Sequence, residues 1–182
     1  SGMKERTERL RVAESYKLPT LVRRVDAAIG GGCGLQELWA VMAASSIGKS
    51  HWLDHVGSVA VVLGVPTLHA SWEMSADEIG ERYDALFTDI KAGLRLQKSD
   101  EIEEALERYH KQLGDNLHIA HFSSDTDTVE SLRNYTENLR YQDDFKPRLV
   151  IADYGDIIAP SRYFKDKRFE LSQIFKELKT FA

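Results

Sequence analysis

Apolar and polar positions along this chain change period repeatedly. The run Leu38-Trp39-Ala40-Val41-Met42-Ala43 is short, continuous and bounded by turn residues, the pattern of a buried strand. After Ser50, Trp52, Leu53, Val56, Val59 and Ala60 recur at helical spacing, and residues 66–71 read as a second strand. Ser75 with Glu78 makes a capping box that opens a helix through Ile79, Tyr83, Leu86, Phe87 and Ile90. Residues 101–113 place Ile102, Ala105, Leu106, Tyr109 and Leu113 on one stripe, stopped by Gly114. A third strand is predicted at 117–122, a helix at 127–139 with Val129, Leu132, Tyr135 and Leu139 on its buried face, and a strongly apolar strand at 148–154. A last helix starts near Arg168 and carries Phe169, Leu171, Ile174, Phe175, Leu178 and Phe181. Strands alternating with helical crossovers of about a dozen residues or more predict an α/β fold, a mainly parallel sheet flanked by helices on both faces.

The ends read differently from the middle. Residues 4–17 alternate charges around only Leu10, Val12 and Tyr16, too few for a core helix, and suggest a linker or docking arm. Ser1-Gly2 before Met3 resembles the scar of a cleaved expression tag. Pro19 ends the arm, and Gly30-Gly31-Gly32-Cys33-Gly34 reads as a turn before the core. The final helix keeps its period to Ala182 with no C-terminal cap, so a truncated piece is expected.

Composition narrows the class. A chain of 182 residues with 42% hydrophobic and 29% charged positions suits one soluble globular domain. The net charge of -5 argues against a surface coated for nucleic acid and leaves only a local basic patch for that purpose. Cys33 is the single cysteine, which excludes an internal disulfide and fits a free structural thiol in a reducing compartment. The longest nearly apolar stretch, 56–66, is about half of what a bilayer crossing needs, so no membrane association and a cytoplasmic location are expected.

Chemistry concentrates in four places. Ala43-Ala44-Ser45-Ser46-Ile47-Gly48-Lys49-Ser50 matches the phosphate loop G-x-x-x-x-G-K-[ST] except at its first glycine, and it lies between a predicted strand and a predicted helix. Backbone N–H groups there would cradle the phosphates of ATP, Lys49 would neutralise their charge and Ser50 would ligate Mg²⁺. Such a loop needs an acidic partner near the metal at the end of a buried strand, and Leu149-Val150-Ile151-Ala152-Asp153 supplies one. Asp156 reads as a turn residue and His69 as a strand or core histidine. Glu73, at the end of the second strand, is either the group that activates the attacking water or a helix N-terminal charge ahead of Ser75. Finally, Arg162, Tyr163, Phe164, Lys165, Lys167 and Arg168 interleave cations with aromatics, either as a grip on nucleic acid or as a solvated loop.

Taken in order from Leu18 onward, these segments resemble the RecA-like domain of DnaB-type replicative helicases, including phage versions. Leu18-Pro19-Thr20, Asp26, the glycine-rich turn and 43–50 are similar to that family's approach to its phosphate loop, where alanine commonly replaces the first glycine. Ser71-Trp72-Glu73-Met74, followed by Arg82, is similar to its Ser-Leu-Glu-Met segment, whose glutamate is taken as the catalytic base. Asp153-Tyr154 with Ile157 looks like its Walker B segment, although Gly155-Asp156 replaces the usual Leu-Gln.

The resemblance implies a partial RecA-like ATPase domain over 18–182, lacking its C-terminal strands, behind an arm over 1–17. It implies Glu73, Lys49 and Asp153 as catalytic residues, Ala44, Ser45, Ser46, Ile47, Gly48, Lys49 and Ser50 on the nucleotide, and Ser50 with Asp153 on the metal. Arg162, Lys165, Lys167 and Arg168 would touch single-stranded DNA. The parent would be a homo-hexamer that couples ATP hydrolysis to unwinding, with primase and a helicase loader as partners. The family's sensor glutamine, remaining DNA loops and arginine finger would lie past Ala182, so this chain is expected to bind nucleotide and hydrolyse it slowly. Two alternatives stand beside it: a RecA-like ATPase that remodels a protein complex without unwinding, and a nucleotide-binding ring component that serves as an assembly platform. Trp72 and Gly155-Asp156 motivate the second.

Overall fold

The computed structural model of the chain describes residues 16–44, 46–90, 94 and 97–182. Ser45 and the predicted arm up to residue 15 lie outside the described residues. Elements run in the order α1 (Arg23–Ala28), α2 (Lys49–Val62), β1 (Thr67–Ser71), α3 (Ala76–Thr88), α4 (Ser99–Leu113), β2 (Leu117–His121), α5 (Val129–Gln142), β3 (Leu149–Asp153), a single 3-10 turn (Gly155–Ile157) and α6 (Lys167–Phe181).

The three strands form one parallel sheet in the order β2-β1-β3. Thr67 stands level with Leu117 and Leu149, and Ser71 with His121 and Asp153, so all three strands end along one edge. Central β1 is buried along its whole length, and its alternation divides the sheet into two unlike faces. Leu68, Ala70 and Trp72 point into an apolar core built with Ala120, Phe122, Val129, Leu132, Leu139, Ile158, Ile174 and Leu178, which places α5 and α6 on that side. Thr67, His69 and Ser71 point the other way, towards α2 and α3, together with Ile119, Ile151 and Asp153 of the flanking strands.

Local chemistry sets the helix ends. Ser75 Oγ accepts from the Glu78 amide and the Glu78 carboxylate accepts from the Ser75 amide, which is the expected capping box of α3. A second box, Thr128 with Ser131, opens α5. Gly114, at φ +71°, ends α4 as its position in the pattern predicted.

One predicted strand is absent. Residues 38–43 join no ladder, and Met42 is 92% exposed. An unbroken apolar run signals a demand for burial but names no partner, and β1 already has β2 and β3 on its two edges. The approach to the run is fixed instead by side chains: the Glu37 carboxylate accepts from Gly34 N and Trp39 Nε1, and Lys179 Nζ donates to Gln36 O at 2.6 Å. The short α1, with no buried residue, is likewise an addition to the predicted elements. Cys33 is a free thiol, as expected.

Gly57 shows how closely α2 approaches the sheet. A Cβ there would overlap the Tyr83 hydroxyl oxygen and stand 2.9 Å from Ile151 Cδ1. Helix propensity alone would have Gly57→Ala stabilise α2 by about 1 kcal/mol. Overpacking outweighs that gain, and we expect a net loss of about 1–3 kcal/mol in urea denaturation.

Candidate nucleotide-binding and active site

The phosphate-loop residues lead into α2 through Gly48, whose φ of +92° only glycine adopts without strain and whose missing Cβ has open space around it. Among the described residues no side chain caps this helix, and its first turn carries no acid. The N–H groups of its first turn therefore lack intrahelical partners and, with the helix dipole, favour an anion. Lys49 Nζ lies over the same loop, donating to Ala43 O at 3.1 Å and Ala44 O at 3.2 Å. Ile47 is 69% exposed, and Ser45 is outside the described residues.

This helix end faces the edge where the strands stop. Since α2 returns to the start of β1 after residue 66, its N-terminus must lie at the opposite, carboxyl end of the sheet. Gly57 packs against Ile151. From that level the helix rises roughly 12 Å to Lys49, while β3 rises roughly 7 Å to Asp153.

Asp153 is 1% exposed, and among the described residues neither of its carboxylate oxygens has a hydrogen-bond partner. A buried carboxylate left in that condition costs several kcal/mol unless a cation or donor meets it. A carboxylate such as that of Asp153, with a hydroxyl such as that of Ser50, would suit a hard divalent ion. Among the described residues no three His, Cys, Asp or Glu side chains converge as an all-protein metal cluster.

Glu73 sits two residues beyond β1, where Trp72 N donates to Asp153 O at 2.8 Å and brings the two strand ends together. Ser71 Oγ accepts from Glu73 N and Met74 N and shapes the turn. The Glu73 carboxylate is exposed, and its charge helps to push the neighbouring Tyr154 phenol upward, behind the effect of burial. Asp156 lies in the 3-10 turn and is exposed, as a turn residue should be.

The two departures from the family pattern are resolved by packing. Trp72 stacks on Phe122 with centroids 4.7 Å apart and donates Nε1 to Asp127 O at 3.0 Å. Gly155 admits Phe175, whose Cζ would stand 3.3 Å from a Cβ there.

The basic segment divides into two parts. Arg162, Tyr163 and Lys165 are exposed on the loop, with the Arg162 guanidinium 5.6 Å from the Phe164 ring centre. Lys167 and Arg168 are instead the first residues of α6, and both face carboxylates: Lys167 reaches Glu170 at 3.5 Å, and Arg168 makes a two-pronged bond to Asp166, the shorter prong 2.6 Å.

A buried polar group that no sequence motif marks lies beneath the site. Asp54, 1% exposed on α2, accepts from Arg82 Nη1 at 3.2 Å, and His69 Nδ1 bonds the Tyr83 hydroxyl at 3.0 Å. The available signal was a carboxylate three residues before Gly57, on the helix face turned to the sheet.

The sequence pattern of the DnaB-like helicase C-terminal domain matches residues 17–182. The chain belongs to that family. Among solved structures, the ATPase domain of a phage helicase superposes with a TM-score of 0.76 at 17% identity, covering 99% of this chain and 65% of that one. A DnaB-like replicative helicase, described with its interactions with primase, gives 0.74 at 18% identity and covers 90% of this chain and 40% of that one. Both likenesses confirm the RecA-like α/β fold, and this chain spans less than two thirds of either protein. No curated protein matches. Among the described residues no helix is long and apolar enough to cross a membrane.

Burial, aided by the Arg82 charge, holds the His69 imidazole down to about 4, so the ring is neutral at pH 7 and its 3.9 Å approach to Asp54 is not an ion pair. Between its ordinary value of 6.5 and about 4 the unfolded chain binds a proton that the folded chain excludes. Stability therefore falls as pH is lowered through that window, by up to about 3 kcal/mol from this group. Asp54 acts in the opposite sense, because burial pushes its carboxyl up against the pull of Arg82. In denaturation series from pH 7 to 4, His69→Gln should show a visibly shallower loss of stability than the unsubstituted chain.

Proposed function

We propose that this chain is the nucleotide-binding part of an ATP-driven helicase motor. The observation that carries the reading is Asp153, a buried carboxylate with two unpartnered oxygens at the strand ends, below the uncapped helix that starts at Lys49 and Ser50. The α2 N-terminus and the backbone of 44–48 bind the phosphates. Lys49, which donates to the carbonyls of Ala43 and Ala44, would turn to neutralise phosphate charge, and Ser50 with Asp153 would hold Mg²⁺. Magnesium held there would offset the charge that develops on the phosphate oxygens. Glu73, exposed beside the Asp153 strand end, takes the proton of the attacking water.

The remaining roles belong to the whole protein. Family membership supports ATP hydrolysis at the subunit interfaces of a homo-hexamer that travels on single-stranded DNA and separates the duplex. The primase interactions described for the DnaB-like replicative helicase make primase a candidate partner. Arg162 and Lys165 are the loop cations offered to a strand, with Tyr163 beside them as an exposed ring. The carboxylate partners of Lys167 and Arg168 favour, as a second reading, an ATPase that remodels protein without gripping DNA.

Titration with a fluorescent ATP analogue and Mg²⁺ tests the core of the proposal. Lys49→Ala should weaken binding roughly 10- to 100-fold, and unchanged affinity would overturn the site. Glu73→Gln in the full-length protein should retain binding while turnover drops about 10² to 10⁴-fold. Binding of the assembled protein to single-stranded DNA should weaken steeply with salt. Changing Arg162 and Lys165 together should flatten that slope by about 1.4, at about 0.7 per phosphate contact. No DNA binding at low salt would favour the remodelling reading.

A further inference from the structure

Beneath the site lies a layer of polar groups that the proposed chemistry does not use. Asp54 is one turn after Ser50 on α2, so the two share a helix face. Its carboxylate is buried beside the sheet, with Oδ2 3.2 Å from Arg82 Nη1 and 3.9 Å from His51 Nδ1, and Oδ1 3.9 Å from His69 Nδ1. Among the described residues Oδ1 has no hydrogen-bond partner. Arg82 lies on α3, the helix that follows the Glu73 turn, with its side chain 30% exposed. Below this pair the His69 ring meets Tyr83 edge-on, and Tyr83 occupies the space that Gly57 leaves open in α2.

The linked elements are those that carry the candidate chemistry. The α2 helix begins at Lys49 and Ser50, and α3 begins at the turn of Glu73, whose amide and that of Met74 bond Ser71 Oγ. The negative charge of Asp153 also acts on Asp54, so a charge held at Asp153 is felt by the carboxylate that binds Arg82. A one-pronged pair with an unsatisfied oxygen is a poor means of gaining stability alone, since a well-packed apolar pair would serve as well or better.

We infer that Asp54 and Arg82 are positioning residues: their ion pair ties the phosphate-loop helix to α3 and so fixes the Glu73 turn relative to Lys49, Ser50 and Asp153. The inference rests on the nucleotide-site reading only for its ligand-bound consequence. The tie itself belongs to the ligand-free chain.

Amide hydrogen exchange of the 182-residue chain tests the tie without ligand. In Asp54→Asn and in Arg82→Gln, exchange at Glu73, Met74 and Glu78, amides bonded to Ser71 Oγ or Ser75 Oγ, should quicken about tenfold or more. Amides of α5 should keep their rates, and Arg82→Lys, which retains the charge, should restore protection to within about threefold of the original. Arg82→Gln, at a partly exposed side chain, decides the matter should Asp54→Asn not fold. Unchanged exchange at the turn, or equal acceleration in α5, would overturn the tie.

A second arm titrates a fluorescent ATP analogue with and without Mg²⁺. Asp54→Asn should weaken the magnesium-dependent part of binding about tenfold, with the magnesium-independent part preserved. Equal loss in both parts would overturn the positioning role. Failure of the unsubstituted chain to bind would instead overturn the nucleotide reading, and the exchange arm would still decide the tie.

Discussion

The cost of burying the Asp153 carboxylate governs how this molecule is put together. A strand that ends in four apolar residues and an acid must leave that acid at the boundary of the core, where removal from water is expensive unless a cation meets it. β3 brings Asp153 level with Ser71, and the Asp153 backbone carbonyl accepts from Trp72 N, so the end of β3 fixes where β1 turns and where Glu73 emerges. The uncapped start of α2 supplies positive potential above the same edge.

The two faces of the sheet meet that constraint in different ways. One face is apolar and excludes water, with Leu68, Ala70 and Trp72 packed under α5 and α6. Rigidity is its contribution. The other face carries Thr67, His69 and Ser71 under α2 and α3, where charges and hydroxyls can be placed below the phosphate loop. A five-residue strand, Thr-Leu-His-Ala-Ser, thus serves as both core and floor of the candidate site because its side chains alternate.

Much of this was legible in the sequence, for identifiable reasons. Helices with a strong 3.6-residue period or a capping box, such as α3 from Ser75 and α5 around Leu132, fall where the pattern puts them, because local periodicity and end chemistry act in the same direction. The strands ending at Ser71 and Asp153 follow from short apolar runs that do find ladders. Residues 38–43 show the limit of the same signal, since pairing is a property of the neighbour and not of the run. At the site, Gly48, Lys49 and Asp153 belong to patterns contiguous in sequence. Asp54, His69, Arg82 and Tyr83 meet only through tertiary packing, and none carries a local mark of its partner. Lys167 and Arg168 read as loop cations until the Asp166 cap and the first turn of α6 assign them to a helix.

The loop after the 3-10 turn is short of partners at its tip but anchored at both ends. Ala159 N bonds Asp127 O, Ser161 Oγ bonds Glu177, and Phe164 N bonds the buried Glu170 carboxylate at 3.1 Å. Its backbone is therefore ordered by folding itself. Fixing a free backbone costs about 1–2 kcal/mol per residue, and any partner that meets Arg162, Tyr163 and Lys165 is spared most of that loss. Such a surface discriminates by shape at first contact, and its off-rates depend on the side chains at the tip more than on the loop closing around them.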